Sequence, residues 1–96
     1  MIPTQVKVAG IDYTVQEVEG FVEEHELGGQ VIYHKGKIKI DSAMCKTKKE
    51  QIFVHELTHA IFMEAGYDEQ DEDMVNRLSI VLYQVLKDNR LQFGKD

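Results

Sequence analysis

From Gln5 to about Val18, β-branched residues and Tyr alternate with polar ones on either side of Ala9-Gly10. That period of two predicts two short strands joined by a tight turn. Val31-Ile32-Tyr33-His34 and Lys37-Ile38-Lys39-Ile40-Asp41 flank Lys35-Gly36, a hairpin signal with glycine where positive φ is needed. In the second of these strands Ile38 and Ile40 face one way, and Lys37, Lys39 and Asp41 the other. Lysines along a strand discourage pairing with other chains, so this strand is expected at a sheet edge. Between the two pairs of strands, Gly20, Gly28 and Gly29 bracket Phe21–Leu27, which reads as one or two helical turns.

After Asp41 the period lengthens to that of a helix. Ser42 or Thr47 can cap a helix running to about Ala65, with Gly66 placed as the residue that ends it. Asp68 or Asp71 can cap a second helix, whose positive N-terminal end is loaded with Glu69, Asp71, Glu72 and Asp73. Met74, Val75, Leu78, Val81, Leu82, Val85 and Leu86 recur at helical spacing and are expected to form its buried stripe. Met44 and Met63, with Met74, read as core filling. Strands first and then two helices predict an α+β domain: a small, mostly antiparallel sheet from the N-terminal half with the two C-terminal helices packed on one face.

With 96 residues, 43% of them hydrophobic, the chain is expected to form a single domain over residues 1–96. The apolar fraction is too high for disorder, and the apolar runs are too short to span a bilayer, so no membrane association is expected. Met1-Ile2-Pro3-Thr4 has neither the basic start nor the apolar stretch of a signal peptide, and the lone Cys45 permits no internal disulfide; both point to the cytoplasm. The net charge of −6 is unevenly spread: residues 35–49 hold six Lys against one Asp, between two acidic stretches. An acidic chain makes a poor general nucleic-acid binder, because neutralising phosphates supplies most of that affinity. The basic segment is either a solvated strand face or a surface for an acidic partner. Two amphipathic helices on so small a domain also leave apolar surface that a homodimer could cover.

The chemistry concentrates in His55-Glu56-Leu57-Thr58-His59, an HExxH sequence inside the first predicted helix. Residues i and i+4 share a helix face about 6 Å apart, so both imidazoles can reach one metal ion. Zinc accepts neutral imidazole nitrogens and prefers four ligands, of which two are then in hand. Glu56, one residue round the helix from His55, can reach a water without ligating the metal, which is the placement of a general base. A third ligand must come from elsewhere. If the chain reverses near residues 66–68, residues 72–76 return to the level of His59, and Glu72 and Asp73 are the carboxylates in that window. Glu72, Asn76, Ser79 and Tyr83 form a polar stripe that could face the histidines, with Glu72 on the metal, Asn76 bonding a ligand histidine and Ser79 letting the helices approach. Cys45 could ligate only by folding back, and reads better as a small thiol. His25 and His34 have no metal-binding spacing and read as surface residues.

The run Leu27–Val31, then Lys37–Asp41, then Phe53-Val54-His55-Glu56-Leu57-Thr58-His59-Ala60-Ile61, then Glu72-Asp73-Met74-Val75-Asn76-Arg77-Leu78 resembles the small zincin metallopeptidases common in phages and mobile elements, similar to the catalytic core of the ImmA/IrrE group. The resemblance covers roughly residues 27–90, and HExxH with E-x-x-x-N is its specific part. It implies a gluzincin-like zinc site with His55, His59 and Glu72 as ligands and Glu56 as base. It also implies that the strand Lys37–Asp41 borders the cleft, where an extended substrate peptide could add as another strand.

The expected activity is therefore zinc-dependent hydrolysis of a protein or peptide, with Tyr83 or Tyr33 as the phenol that assists the scissile carbonyl. Six lysines near the cleft would favour an acidic substrate segment. The alternative expectation is a zinc-binding protein without proteolytic activity, serving as an interaction module such as a phage accessory or inhibitor protein. A third is an α+β protein that holds no metal.

Overall fold

A computed structural model describes residues 2–20, 28–91 and 93–94, so the predicted turns at Phe21–Leu27, with His25, lie outside the described residues. Strand β1 (Gln5–Val8) and strand β2 (Ile11–Val18) form an antiparallel hairpin whose last pair is Val8 with Ile11. The two loop residues, Ala9 and Gly10, have φ of 52° and 80°, as a turn with both central residues left-handed requires. Strand β3 (Gly29–Ile32) and strand β4 (Lys37–Asp41) make a second antiparallel pair, joined by a single 3-10 turn over Tyr33–Lys35 and by Gly36 at φ 59°. A Cβ at Gly36 would meet the carbonyl oxygen of Asp12 at 2.8 Å, so the turn is closed to other residues on both counts.

The architecture is α+β, as the pattern predicts, but the sheet is mixed rather than antiparallel. Its order is β1-β2-β4-β3, and β2 runs parallel to β4, with Val15 opposite Ile38 and Glu17 opposite Ile40. β4 is thus a central strand and β3 the edge, the reverse of the expectation for the lysine-bearing strand. Alternation reports which face a side chain takes, and here it is right: Ile38 and Ile40 are fully buried while Lys37 and Lys39 project from the other face. It carries nothing about neighbours in the plane of the sheet.

Helix α1 (Lys46–Glu64) lies on the sheet, and helix α2 (Glu72–Asn89) packs chiefly on α1 rather than on the sheet. α1 is therefore covered from two sides. Phe53 and Ala60 join Val8, Tyr13, Val15, Ile38 and Ile40 in the core, and Val54 and Thr58 are also buried. Buried Thr58 satisfies its hydroxyl by donating to the carbonyl of Val54 at 2.7 Å. Tyr13, wholly buried, donates its hydroxyl to Glu64 at 2.7 Å and so ties the sheet to the last turn of α1.

Neither predicted capping side chain opens α1: Cys45 stands at the N-cap without a side-chain bond. Asp41 instead accepts from the amide of Ala43 at 2.7 Å, which turns the chain into the helix. At the other end Gly66 (φ 104°) bonds back to Met63 and Tyr67 to Phe62, with the Phe62 and Tyr67 rings edge to face at 5.8 Å. This is the paired carbonyl closure with its apolar clasp that a left-handed glycine permits. Asp71 then caps α2, accepting from the amides of Asp73 and Met74.

The expected stripe of α2 is only partly buried. Val75 and Ser79 face α1, whereas Met74, Leu78 and Val81 are 48%, 51% and 59% exposed. Among the described residues no helix is long and apolar enough to cross a membrane.

Replacing Ala9 with Asn, which tolerates the left-handed region better, should stabilise the fold by about 0.5–1 kcal/mol. Thermal melting should rise by roughly 2–8 °C, given about 4–8 °C per kcal/mol for a domain of this size.

Candidate functional site

A cleft of about 580 Å³ opens between α1 and the edge strand β3, lined by residues that include Gly29, Val31, Tyr33, Ile52, His55, Glu56, His59, Glu72 and Asn76. His55 and His59 stand one helical turn apart with ring centroids at 5.0 Å. The reversal at Gly66 brings the first residue of α2 across from them. Glu72 Oε1 lies 2.9 Å from His55 Nε2, and its Oε2 3.0 Å from His59 Nε2. Glu72 is the carboxylate at the rings; Asp73 turns away to pair with Arg77 at 3.0 Å.

The far nitrogens of the two rings show what the near ones offer. His59 Nδ1 is 2.7 Å from the side-chain oxygen of Gln70, which can only accept, so this nitrogen carries the proton. Ser79 donates its hydroxyl to the carbonyl of Asn76 at 3.0 Å, which leaves its oxygen to accept from His55 Nδ1 at 3.4 Å. In the neutral rings both Nε2 atoms then present lone pairs on the side of the Glu72 carboxylate, a set of donors suited to a shared positive charge. A tetrahedral ion with ligands about 2.0–2.1 Å away sets those ligands about 3.3 Å from one another, near the observed separations. One ligand atom each from His55, His59 and Glu72 falls within 4.8 Å of the others, so these residues fit a divalent cation.

Glu56 is 8% exposed and lines the same cleft, and among the described residues its carboxylate makes no hydrogen bond. Burial pushes its pKa up to about 7, with His59 pulling down and Glu72 pushing up. A buried acid of this kind, beside two imidazoles and facing open cleft, has the features of a proton acceptor. It can sit there because the opposite wall is glycine: a Cβ on Gly29 would lie 2.6 Å from Ile52 Cγ2 and 3.2 Å from Glu56 Cγ.

Tyr33 lines the cleft, and Glu56 and Glu72 both act on its phenol, whose pKa is raised chiefly by burial. Tyr83 is not brought there. It donates to Glu50 at 2.7 Å and lines a separate cavity with Phe53, Leu86 and Lys87. Lys87 also bonds Glu50 at 2.7 Å. Asn76 lines the cleft but bonds neither histidine; Ser79 and Gln70 do so instead. The cleft wall contains no lysine among the described residues, since Lys37 and Lys39 project from the opposite face of the sheet and Lys49 pairs with Glu17 at 2.6 Å. Cys45 is exposed at the start of α1, away from the cleft lining, and His34 is exposed.

Gln70 was not legible as a site residue, although its place suggested one: a long polar side chain just past the reversal, where the chain passes His59. The adjacent glycines at 28 and 29, before a strand, were a signal for close approach by a helix. Comparison with protein-family models, curated proteins and solved structures finds no match to this chain.

Two expected outcomes follow from this geometry. Gly29→Ala should cost about 1–3 kcal/mol through overpacking. Gly28→Ala should cost less, since its nearest contact is the flexible end of Ile52 at 3.3 Å; urea unfolding of both variants compares them. Separately, Lys87 and then Tyr83 hold the carboxyl of Glu50 down to about 2, against an ordinary 4.5. Its contribution to stability is therefore present above about pH 4.5 and is lost as pH falls towards 2. Urea unfolding between pH 2 and 5 should show a flatter acid limb for Glu50→Gln than for the parent.

Proposed function

We propose that the chain is a metal-dependent hydrolase, and specifically a zinc peptidase of the small ImmA/IrrE-like zincin kind. The observation that carries this reading is the convergence of His55 Nε2, His59 Nε2 and the Glu72 carboxylate at 2.9–3.0 Å beside the unpartnered, buried Glu56. His55, His59 and Glu72 would hold the zinc, with Gln70 and Ser79 keeping the two rings turned towards it. When bound, zinc supplies Lewis acidity to a water and to a carbonyl group in this cleft.

The rest is the work of side chains. Glu56 takes the proton from the attacking water and returns it to the departing amine. The edge of β3, not β4, is the strand beside which an extended peptide can lie, because no described strand pairs with its outer side. Tyr33 accepts from the Gln70 amide at 3.3 Å, which leaves its own hydroxyl proton for the carbonyl oxygen as charge builds there. The substrate is read as a protein or peptide, met in the cytoplasm, and not as nucleic acid. With no lysine or arginine among the described residues that line the cleft, the lysines do not favour an acidic segment there.

A second reading is favoured by one observation. Met74, Leu78 and Val81 make an exposed apolar line on α2, as an interaction module that binds zinc without cutting would need.

Purified protein should hold one equivalent of zinc, and His55→Ala should lose tight binding. Glu56→Gln should keep the zinc while hydrolysis of an unfolded protein substrate falls by about 100-fold or more. Zinc bound with no cleavage by the parent would favour the second reading; absence of zinc would overturn both.

A further inference from the structure

The side chain of Gln70 joins three parts of the molecule that have no other reason to meet. It leaves the segment between α1 and α2, where Gln70 immediately precedes the capping Asp71. Its oxygen lies 2.7 Å from His59 Nδ1. Its nitrogen donates at 3.3 Å to the hydroxyl of Tyr33, in the turn between β3 and β4, and at 3.3 Å to the carbonyl of His59 itself. The two ends of an amide are not equivalent, and here the surroundings choose between them. Turned over, the amide would set its oxygen against the carbonyl oxygen of His59 and its NH2 against Nδ1. As it stands, every polar atom of the amide has a partner.

The consequence reaches the ring. An oxygen that can only accept obliges His59 to carry a proton on Nδ1, so that the lone pair of the neutral ring lies on Nε2, on the side where Glu72 stands. Its counterpart at His55 is weaker, since the Ser79 hydroxyl is 3.4 Å away and can rotate. The bond from the Gln70 side chain to the carbonyl of His59 also holds the segment against the same residue whose ring it orients.

We propose that Gln70 is a positioning residue for His59: its amide, held one way round by the carbonyl of His59, sets the tautomer and angle at which His59 faces a metal. The inference rests on the metal-site reading above. Tyr33 supports the amide without choosing its direction, since a phenol can donate as well as accept.

The test is zinc affinity, measured by competition with a chromogenic chelator, together with thermal melting of the metal-free proteins. Gln70→Leu should weaken zinc binding by about 10–100-fold, the usual effect of removing an outer partner of a ligand histidine. Gln70→Glu should recover part of it, since a carboxylate also accepts from Nδ1, whereas Gln70→Met, of similar length but without that acceptor, should bind zinc as weakly as Gln70→Leu. A purely structural role for Gln70 would not separate Gln70→Glu from Gln70→Met. Should Gln70→Leu lower the melting of the metal-free protein, that contrast decides the matter alone. Parent protein that binds no zinc would overturn the site reading and this inference with it. Parent protein that binds zinc, with Gln70→Leu binding equally well or with Gln70→Glu binding no better than Gln70→Met, would overturn this inference alone.

Discussion

Two imidazoles one helical turn apart and a carboxylate facing their Nε2 atoms at 2.9–3.0 Å form the cluster on which the candidate site depends. The fold supplies it with rigid support on both sides. His55 and His59 belong to α1, which is held by the sheet below and by α2 above. Glu72 is placed by the start of α2, where the Asp71 cap and the helix N-terminus fix the backbone and favour negative charge. What sets these two frames against each other is the closure at Gly66, whose backbone bonds and the Phe62–Tyr67 contact determine where the chain re-emerges. A site assembled from helix positions on a packed core is held more closely than one built on loops.

Covering α1 on two faces explains a feature that would otherwise conflict with amphipathicity. The helix has no single polar side; it has a polar corner. His55, Glu56 and His59 lie along that corner, where α1 passes β3, and Gly29 keeps the strand thin enough for Glu56 to reach the cleft. The same arrangement buries the Glu56 carboxylate enough to raise its pKa to about 7. α2, by contrast, has only α1 to pack against, and so its apolar positions exceed the surface available to cover them. Met74, Leu78 and Val81 are left facing outward while the smaller Ser79 takes the buried place. Ser79 is small enough for close helix packing and also polar enough to serve His55.

Much of the site was written into the local sequence. The spacing of His55 and His59 places them on one helix face whatever the rest of the chain does, and Glu56 follows from its position beside them. Glu72 could be reached by counting residues from the reversal at Gly66, because two antiparallel helices return at the same rise per residue. Tyr83 lay on the same stripe as Glu72 by helical spacing, yet eleven residues of helix carry it about 16 Å along α2, where it meets Glu50 near the start of α1 together with Lys87. Gln70 belongs to a segment with no period at all, so its contribution appears only when the turn is closed.

Read alone, the residues determined the strands, the two helices, the glycine that ends the first and the pairing of His55 with His59 on one helix face, because each of these depends on neighbours a few positions away. Only the tertiary structure decided that β2 and β4 run parallel, that β3 rather than β4 forms the edge, that Tyr33 rather than Tyr83 shares the cleft, and that Gln70 orients His59. Those outcomes depend on which elements lie side by side. Periodicity records the face a side chain takes and not the partner across from it.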